Sequence, residues 1–175
     1  MDKHPTSQTV IRFQDCDAFG HLNNARYINY FINAREDHLR DYYAFDLYKH
    51  AHGSGENWYI THHEIAYLRP AHLGERVRIQ TGLIGLTANG IVLEGVMTDA
   101  TGQQLKAVQR TTFRYVNLQT GRSATHPPDV AAFLASILIE EEIYPEDLNQ
   151  RLRQLKARHR TAVSRKTDRQ EAALV

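Results

Sequence analysis

Cysteine and long apolar runs are what this 175-residue chain has least of. Cys16 is the only cysteine, which excludes an intramolecular disulfide and is typical of a protein in a reducing cytoplasm. No unbroken apolar run is long enough to span a bilayer, and the first ten residues, MDKHPTSQTV, lack the apolar core of a secretory signal. We therefore expect a cytoplasmic globular protein without membrane contact, long enough for one well-packed domain.

The net charge of the chain is only +1, but the charges are distributed unevenly along it. Residues 150–175 carry eight Lys or Arg against two acids, a net +6, whereas residues 1–149 carry thirteen against eighteen, a net −5. The leucine stripe of the basic segment is narrow and has none of the bulky aromatics of a membrane-surface helix. No nucleic-acid motif accompanies it, so nucleic acid is not an expected partner. We predict that this segment docks on the acidic body or on a partner subunit.

A long amphipathic helix is predicted at the centre of the stretch from Asp15 to Arg40. Residues 8–14 form a strand candidate before it, and Asn23 or Asn24 is a natural N-cap, because either side chain can accept from the free N–H groups of the first turn. The apolar residues then follow helical spacing, which predicts one buried face and an end in the low forties: Tyr27, Ile28, Phe31, Ala34, His38, Leu39 and Tyr42.

Four consecutive strands are predicted after a loop at residues 52–57. The runs alternate in hydrophobicity or are rich in β-branched and aromatic residues, and Asn89-Gly90 marks a tight hairpin between two of them. Short turns make neighbouring strands antiparallel, and the sheet must bury one face. The prediction is an α+β fold in which a curled antiparallel sheet of about five strands wraps around one helix. The predicted strands are 58–67, 76–86, 91–98 and 104–117.

The C-terminal part is predicted to be a helical extension. One helix begins near Pro127, and a last helix begins at Pro145 with Leu148, Leu152 and Leu155 on one side. We accordingly divide the chain into a domain at 1–125 and an extension with a basic tail at 126–175.

The carboxylates of Asp15 and Asp17 lie at the mouth of the central helix. Asp, Gly and Asn are also what turns are made of, so an ordinary turn is an open alternative. The strand–turn–helix layout nevertheless aims backbone N–H groups at whatever Asp17 faces, and this arrangement suits chemistry on a carbonyl. Cys16 between the two carboxylates is expected to be structural, because flanking negative charge raises a thiol pKa.

The segment DCDAFGHLNNARYINYF, followed by ITHHEIAYLRPAHLGERVRI, resembles the hot-dog-fold acyl-CoA thioesterases. It is most similar to the 4-hydroxybenzoyl-CoA thioesterase-like and long-chain acyl-CoA thioesterase branches, in which a D-x-D-x-x-G-H-x-N-N-x-x-Y segment precedes the central helix. The resemblance covers about residues 8–125. It implies a hot-dog fold, hydrolysis of an acyl-CoA without a cofactor, and a homodimer or homotetramer with a continuous sheet and a site between subunits.

Carried over residue by residue, the resemblance implies that Asp17 is the catalytic carboxylate, acting as a general base or as a nucleophile. His21 and Asn24 would line the site beside it. The resemblance also implies that Glu64 is a wall or second carboxylate of the acyl pocket. Tyr27 and Arg69 are the further substrate-binding candidates.

The arginines of the strands are predicted to form mainly the solvated face of the sheet, with one or two of them gripping the phosphates of coenzyme A. These arginines are Arg69, Arg76, Arg78, Arg110 and Arg114.

Metal binding and three other functions are alternatives to hydrolysis of acyl-CoA. His62 and Glu64 can converge on one face of a strand whereas His63 cannot, so no metal site is expected. A non-catalytic acyl-CoA sensor is one alternative, and a thioesterase acting on acyl carrier protein is another. A hydroxyacyl-thioester dehydratase would use a local pattern that is not seen here.

Overall fold

The computed structural model describes residues 1–140 and 147–159. The elements follow the predicted order, with one additional short helix. They are β1 (Thr6–Val10), α1 (Asn24–Tyr43), α2 (Leu47–Ser54), β2 (Glu56–Tyr67), β3 (Arg76–Thr87), β4 (Gly90–Asp99), β5 (Leu105–Asn117), α3 (Pro128–Ile137) and α4, at 148–159.

The five strands form one antiparallel sheet with the order β1-β3-β4-β5-β2. The α+β class and the five-stranded antiparallel sheet are therefore confirmed. One expectation about neighbours is wrong: β2 and β3 are consecutive in the chain but do not pair. The segment 68–75 between them carries the chain across the sheet, so β2 pairs only with β5 and forms an edge.

Helix α1 begins where its cap was expected. The side chain of Asn23 accepts a hydrogen bond from the N–H of Ala25 at 3.0 Å, and the helix ends at Ala44 in the left-handed region, with φ 53°. Its buried stripe lies against the inner face of the sheet. The ring of Phe31 lies so close to β4 that a Cβ on Gly95 would be 2.5 Å from its Cδ1, which explains glycine at that position.

Helix α2 occupies part of the predicted loop at 52–57. Its N-cap is Asp46, whose Oδ1 accepts from the N–H groups of Tyr48 and Lys49 at 2.9 and 3.0 Å, and Gly55, with φ 70°, ends it. A helix of eight residues is too short for apolar periodicity to stand out. The cap at Asp46 was the available signal.

Helix α4 covers the outer face of the sheet, the face that points away from α1. Its leucine stripe packs on Leu105 and Val108 of β5. Beside this contact the Nη2 of Arg151 donates to Glu94 Oε1 at 2.8 Å, and Arg110 lies 3.4 Å from the same carboxylate. The helix thus docks on the body, as predicted.

The packing of α4 contradicts one prediction made from the sequence. Arg110 was expected in the solvated set, but it is 7% exposed, because α4 and Glu94 cover it. The proposed helix start at Pro145 lies outside the described residues, as does the tail at 160–175. None of the helices in the described ranges is long and apolar enough to span a membrane.

Candidate active site

The loop between β1 and α1 holds Asp17 by its own backbone. Asp17 Oδ1 accepts from the N–H groups of Phe19 and His21, at 2.9 and 3.2 Å. The backbone N–H of Asp17 donates to the carbonyl of His21 at 2.8 Å, and Gly20, with φ 72°, allows the tight turn. Within the described ranges Asp17 Oδ2 has no hydrogen-bond or ion-pair partner, and the residue is exposed. One carboxylate oxygen is therefore fixed while the other faces solvent.

Asp15 has a different environment. Its Oδ2 accepts from the Tyr30 hydroxyl at 2.9 Å, and that hydroxyl in turn accepts from the N–H of Arg12 at 3.1 Å. Arg26 lies 3.9 Å from its other oxygen, and the Asp15 side chain is 18% exposed. Asp15 therefore ties the loop to α1.

A second chain segment, after β2, lies against this loop. His21 and His72 form an isolated antiparallel bridge, and their rings meet edge to face at 4.8 Å between centroids. Glu75 fixes the segment by accepting from the N–H of His72 at 2.8 Å and by pairing with the buried Lys106 at 2.7 Å. No pattern in the sequence indicates His72, because only the tertiary fold brings it to the motif.

The start of α1 contributes a polar edge to the same site. Asn24 is exposed, and its N–H has no hydrogen-bond partner in the described part of the chain. Its carbonyl accepts from the hydroxyl of Tyr67 at 2.8 Å, which places the end of β2 beside the helix start. Tyr67 is 42% exposed and was also not selected from the sequence.

Tyr27 lies beneath this edge. It is 2% exposed, and its hydroxyl accepts from the N–H of Ala71 at 3.1 Å. Burial, more than the nearby Glu75 and Asp17, raises the pKa of Tyr27. Tyr27 is therefore a buried support for the segment at Ala71. At 2% exposure, its side chain is not accessible to a ligand bound at the loop.

The two other substrate-binding candidates lie on β2 and just after it. On β2, Ile65 packs in the α1 core and Ala66 packs under α4, so Glu64 lies on the outer face with Ala66. Its cross-strand neighbour is Arg110. Arg69 is exposed just after β2, with its backbone N–H on the carbonyl of Lys106 at 3.1 Å.

Cys16 has the properties of a structural thiol. Its Sγ donates to the carbonyl of Arg12 at 3.3 Å. Burial, and after it the negative charges of Asp15 and Asp17, raise the pKa of the thiol, which agrees with the expectation that it is not a nucleophile. The described residues contain no group of three or more His, Cys, Asp or Glu side chains that could hold a metal ion.

Comparison with known proteins identifies the family to which this chain belongs. Residues 11–134 match the model of the thioesterase-like superfamily, a range that includes the Asp17 loop and all of the sheet except β1. The chain belongs to this superfamily. The matched range ends within α3, so α4 lies beyond it.

Individual relatives of this thioesterase-like chain agree with the assignment. It is 29% identical to the long-chain acyl-CoA thioesterase FadM of Escherichia coli over 117 residues, which are 67% of this chain and 86% of FadM. The crystal structure of YbaW, a probable thioesterase from Escherichia coli, superposes with a TM-score of 0.66 at 25% identity, covering 77% of this chain and 98% of that one.

A third similarity concerns the fold alone. SAV2348 of Staphylococcus aureus, solved in complex with CoA, superposes with a TM-score of 0.71 at 17% identity. The match covers 82% of this chain and 90% of the SAV2348 chain.

The predicted hot-dog fold and the predicted class of enzyme, a thioester hydrolase, are confirmed, and acyl-CoA thioesterase activity is supported at the level of the family. The roles of individual site residues stay predictions.

Proposed function

We propose that this protein hydrolyses an acyl-CoA thioester to the free acid and coenzyme A, with the carboxylate of Asp17 as general base or nucleophile. The observation that carries the proposal is the state of that carboxylate. Two backbone N–H groups orient Oδ1, while Oδ2 is solvent-facing at the mouth of α1. The second oxygen is thereby left accessible to a water molecule or to the thioester carbon.

The chemistry requires an activated oxygen and a place for the oxyanion. As a base, Asp17 takes a proton from water while the water oxygen bonds to the thioester carbon. The C–S bond then breaks and the thiolate leaves with the electron pair. As a nucleophile, Asp17 itself bonds to the carbon and expels the thiolate, and water then hydrolyses the mixed anhydride. A thiolate leaves readily, so the mechanism needs no strong general acid.

The free N–H of Asn24 is the proposed oxyanion donor, since a helix start favours negative charge. One such donor is worth about 3 kcal/mol of transition-state stabilisation. His21, whose N–H already holds Asp17, would orient the thioester or the water together with the side chain of Asn24.

The protein is further proposed to act as a homodimer joined through β2. This edge strand of twelve residues has no partner on its outer side within the described chain. It also exposes Tyr59, Ile60 and Tyr67 by 53, 41 and 42%. A long edge of this kind is normally covered, and a second copy paired along it would continue the sheet and complete the site. Sedimentation at micromolar concentration should give a dimer, or a tetramer built from it, whereas a monomer would contradict this part of the proposal.

A cytoplasmic location and a role in fatty acid metabolism complete the proposal. The single cysteine suits a reducing compartment. The similarity to a long-chain acyl-CoA thioesterase favours fatty acyl groups as substrates.

The decisive experiment is a thiol-release assay with short, long and aromatic acyl-CoAs, with acyl carrier protein thioesters as a parallel series. We expect turnover of at least one acyl-CoA. Tight binding of one acyl-CoA without turnover of any member would favour a non-catalytic sensor. Turnover confined to the carrier-protein series would identify that donor instead.

The two roles of Asp17 are separated by a single turnover in oxygen-18 water. If Asp17 is the nucleophile, the label enters its carboxylate, because water attacks the mixed anhydride at the enzyme carbonyl. If Asp17 is the base, the label appears only in the product acid.

A further inference from the structure

Lys106, at the start of β5, is a buried cation that contacts residues 68–75, the crossing segment between β2 and β3. It is 4% exposed. Its Nζ donates to the carbonyl of Pro70 at 3.0 Å and pairs with Glu75 Oε1 at 2.7 Å. Its backbone carbonyl accepts from the N–H groups of the first two residues of the segment, at 2.8 and 3.1 Å. One residue therefore holds both ends of the crossing segment.

The burial of this ammonium group needs a specific reason. Moving an ammonium ion out of water is costly, and an apolar side chain of similar size would avoid that cost. The Lys106 side chain is 6% exposed in its pair with Glu75, whose side chain is 20% exposed. A buried ion pair is weak evidence for stability. Its directed contacts instead fix the positions of the groups that it joins.

The crossing segment is paired with the loop that contains Asp17. Two backbone hydrogen bonds, of 2.8 and 2.9 Å, join residues 20–22 of the loop to residues 71–73 of the segment. The N–H of Leu22 donates in the first bond, and the N–H of Leu73 donates in the second. They lie on either side of the bridge between the two histidines. The position of the segment therefore sets the position of the loop backbone.

Glu75 connects Lys106 to this paired stretch. Its Oε1 pairs with Lys106, and its Oε2 accepts from the N–H of His72 at 2.8 Å. The carboxylate is thus held between the ammonium group and the middle of the paired stretch. The backbone carbonyl of Glu75 also accepts from the N–H of Ile11 at 2.9 Å. The loop is therefore held at its start as well.

The last link to the carboxylate is the backbone of His21. Its N–H donates to Asp17 Oδ1 at 3.2 Å, and its carbonyl accepts from the N–H of Asp17 at 2.8 Å. His21 therefore lies between the carboxylate that it orients and the crossing segment that it pairs with. A shift of the segment would move this donor away from Oδ1.

We propose that Lys106 is a positioning residue for the hydrolysis. Through Glu75 and the crossing segment, it holds the backbone donor that orients the Asp17 carboxylate. Lys106 itself takes no part in the chemical steps. The inference rests on the proposed function, because it concerns the carboxylate assigned to the reaction. Placement matters there, since a displacement of about 1 Å can cost about a hundredfold in rate.

The first test is amide hydrogen exchange in Lys106→Met, which keeps most of the side-chain length and removes the charge. The amides of Leu22 and Leu73 should exchange about tenfold faster or more than in the native protein, as expected for the loss of a hydrogen bond to a charged group. Glu94→Gln is the matched control. It also breaks a buried ion pair, but its partners lie on β5 and α4, so both amides should keep the native rate. Native exchange in Lys106→Met, or equal acceleration in both variants, would overturn the inference.

The second test is steady-state thiol release with an acyl-CoA that the native protein hydrolyses. In Lys106→Met kcat should fall about tenfold or more while KM stays within about twofold, because the displaced carboxylate acts in the chemical step. Glu94→Gln, measured at a temperature at which both variants are folded, should keep the native kcat. A rise in KM with a native kcat would overturn the inference, as would equal losses of kcat in the two variants.

The exchange test needs no substrate. A native protein that hydrolyses no acyl-CoA would therefore contradict the proposed function, while the exchange rates would still decide whether Lys106 holds the loop. If Lys106→Met does not fold, Glu75→Gln replaces it, because glutamine keeps an acceptor for the N–H of His72 and removes the ion pair. Faster exchange and a lower kcat are then expected at smaller size, and their absence would overturn the inference.

Discussion

Two carboxylates of this protein, Glu94 on the outer face of the sheet and Asp17 at the start of α1, have opposite surroundings. Glu94 is 5% exposed and is held by the guanidinium groups of Arg151 and Arg110. Asp17 is exposed and is held at one oxygen by backbone N–H groups, and its second oxygen has no partner among the described residues. Burial with full pairing produces a structural acid, whereas exposure with partial pairing leaves charge available to a substrate.

The pairing differs because the neighbouring elements differ. Glu94 lies under a helix that brings Arg151 to it from fifty-seven residues further along the chain. Asp17 is served by residues two and four positions away, which hold its orientation without neutralising it. A side chain that contributes charge to a reaction must keep that charge accessible.

The largest expected effect is on activity, from Asp17→Asn. This change keeps the shape and removes the charge, so we expect kcat to fall by on the order of a hundredfold or more while binding is spared. Asp15→Asn is the matched control, because its amide oxygen can still accept from the Tyr30 hydroxyl. The measurement is steady-state thiol release together with acyl-CoA binding. Equally mild effects of the two changes would remove Asp17 from its proposed role.

The largest expected effect on stability comes from Glu94→Gln. It leaves two buried guanidinium groups without their shared carboxylate, a loss that costs about 3–5 kcal/mol. The free energy of unfolding from urea titration measures it. Asp41→Asn removes the surface pair with Arg40 and should cost at most about 1 kcal/mol. If Glu94→Gln costs no more than this control, α4 is not anchored by the buried pair.

A smaller loss is expected from Gly95→Ala, which tests how tightly α1 lies on the sheet. The added methyl would be 2.5 Å from Phe31 Cδ1, so the ring or the helix must shift at a cost of about 1–3 kcal/mol. Gly53→Ala in α2 is the control. Nothing lies within 4 Å of the added group there, and a helical alanine should stabilise by up to about 1 kcal/mol. Urea unfolding of both variants measures the contrast, and equal values would contradict the close packing.

The smallest expected effect is a pH dependence at His38. Its ring contacts the hydroxyls of Thr81 and Ser7 at 2.7 and 2.9 Å, and burial lowers its pKa. The unfolded chain then takes up a proton at higher pH than the folded protein does. Stability is therefore complete above the unfolded pKa and is lost as pH falls below it, towards the folded pKa.

The check is the free energy of unfolding from pH 8 to pH 5 in the native protein and in His38→Gln. The variant should show a shallower fall at acid pH, with a lower absolute stability because a buried ring is lost. His52→Gln, at an exposed position of α2, should keep the native slope. An unchanged slope in His38→Gln would show that other groups produce the pH dependence.

The sequence by itself predicted the elements and the order in which they occur, apart from the short helix α2. Local chemistry fixed them: Asn23 caps α1, Gly20 makes the loop turn, and alternation marks the strands. The same local chemistry located Asp17, because a carboxylate held by its own loop depends on residues within four positions. Resemblance to a family extended this to the class of reaction, and comparison with known proteins confirmed the class.

Only the tertiary structure decided the long-range partners. It made β2 an edge strand, buried Arg110 under α4, and placed Glu64 on the outer face of the sheet. It also brought His72 to His21. None of these depends on sequence spacing. They follow from how the chain crosses the sheet and which face of each strand the helices cover, and both are set by burial of the whole core at once.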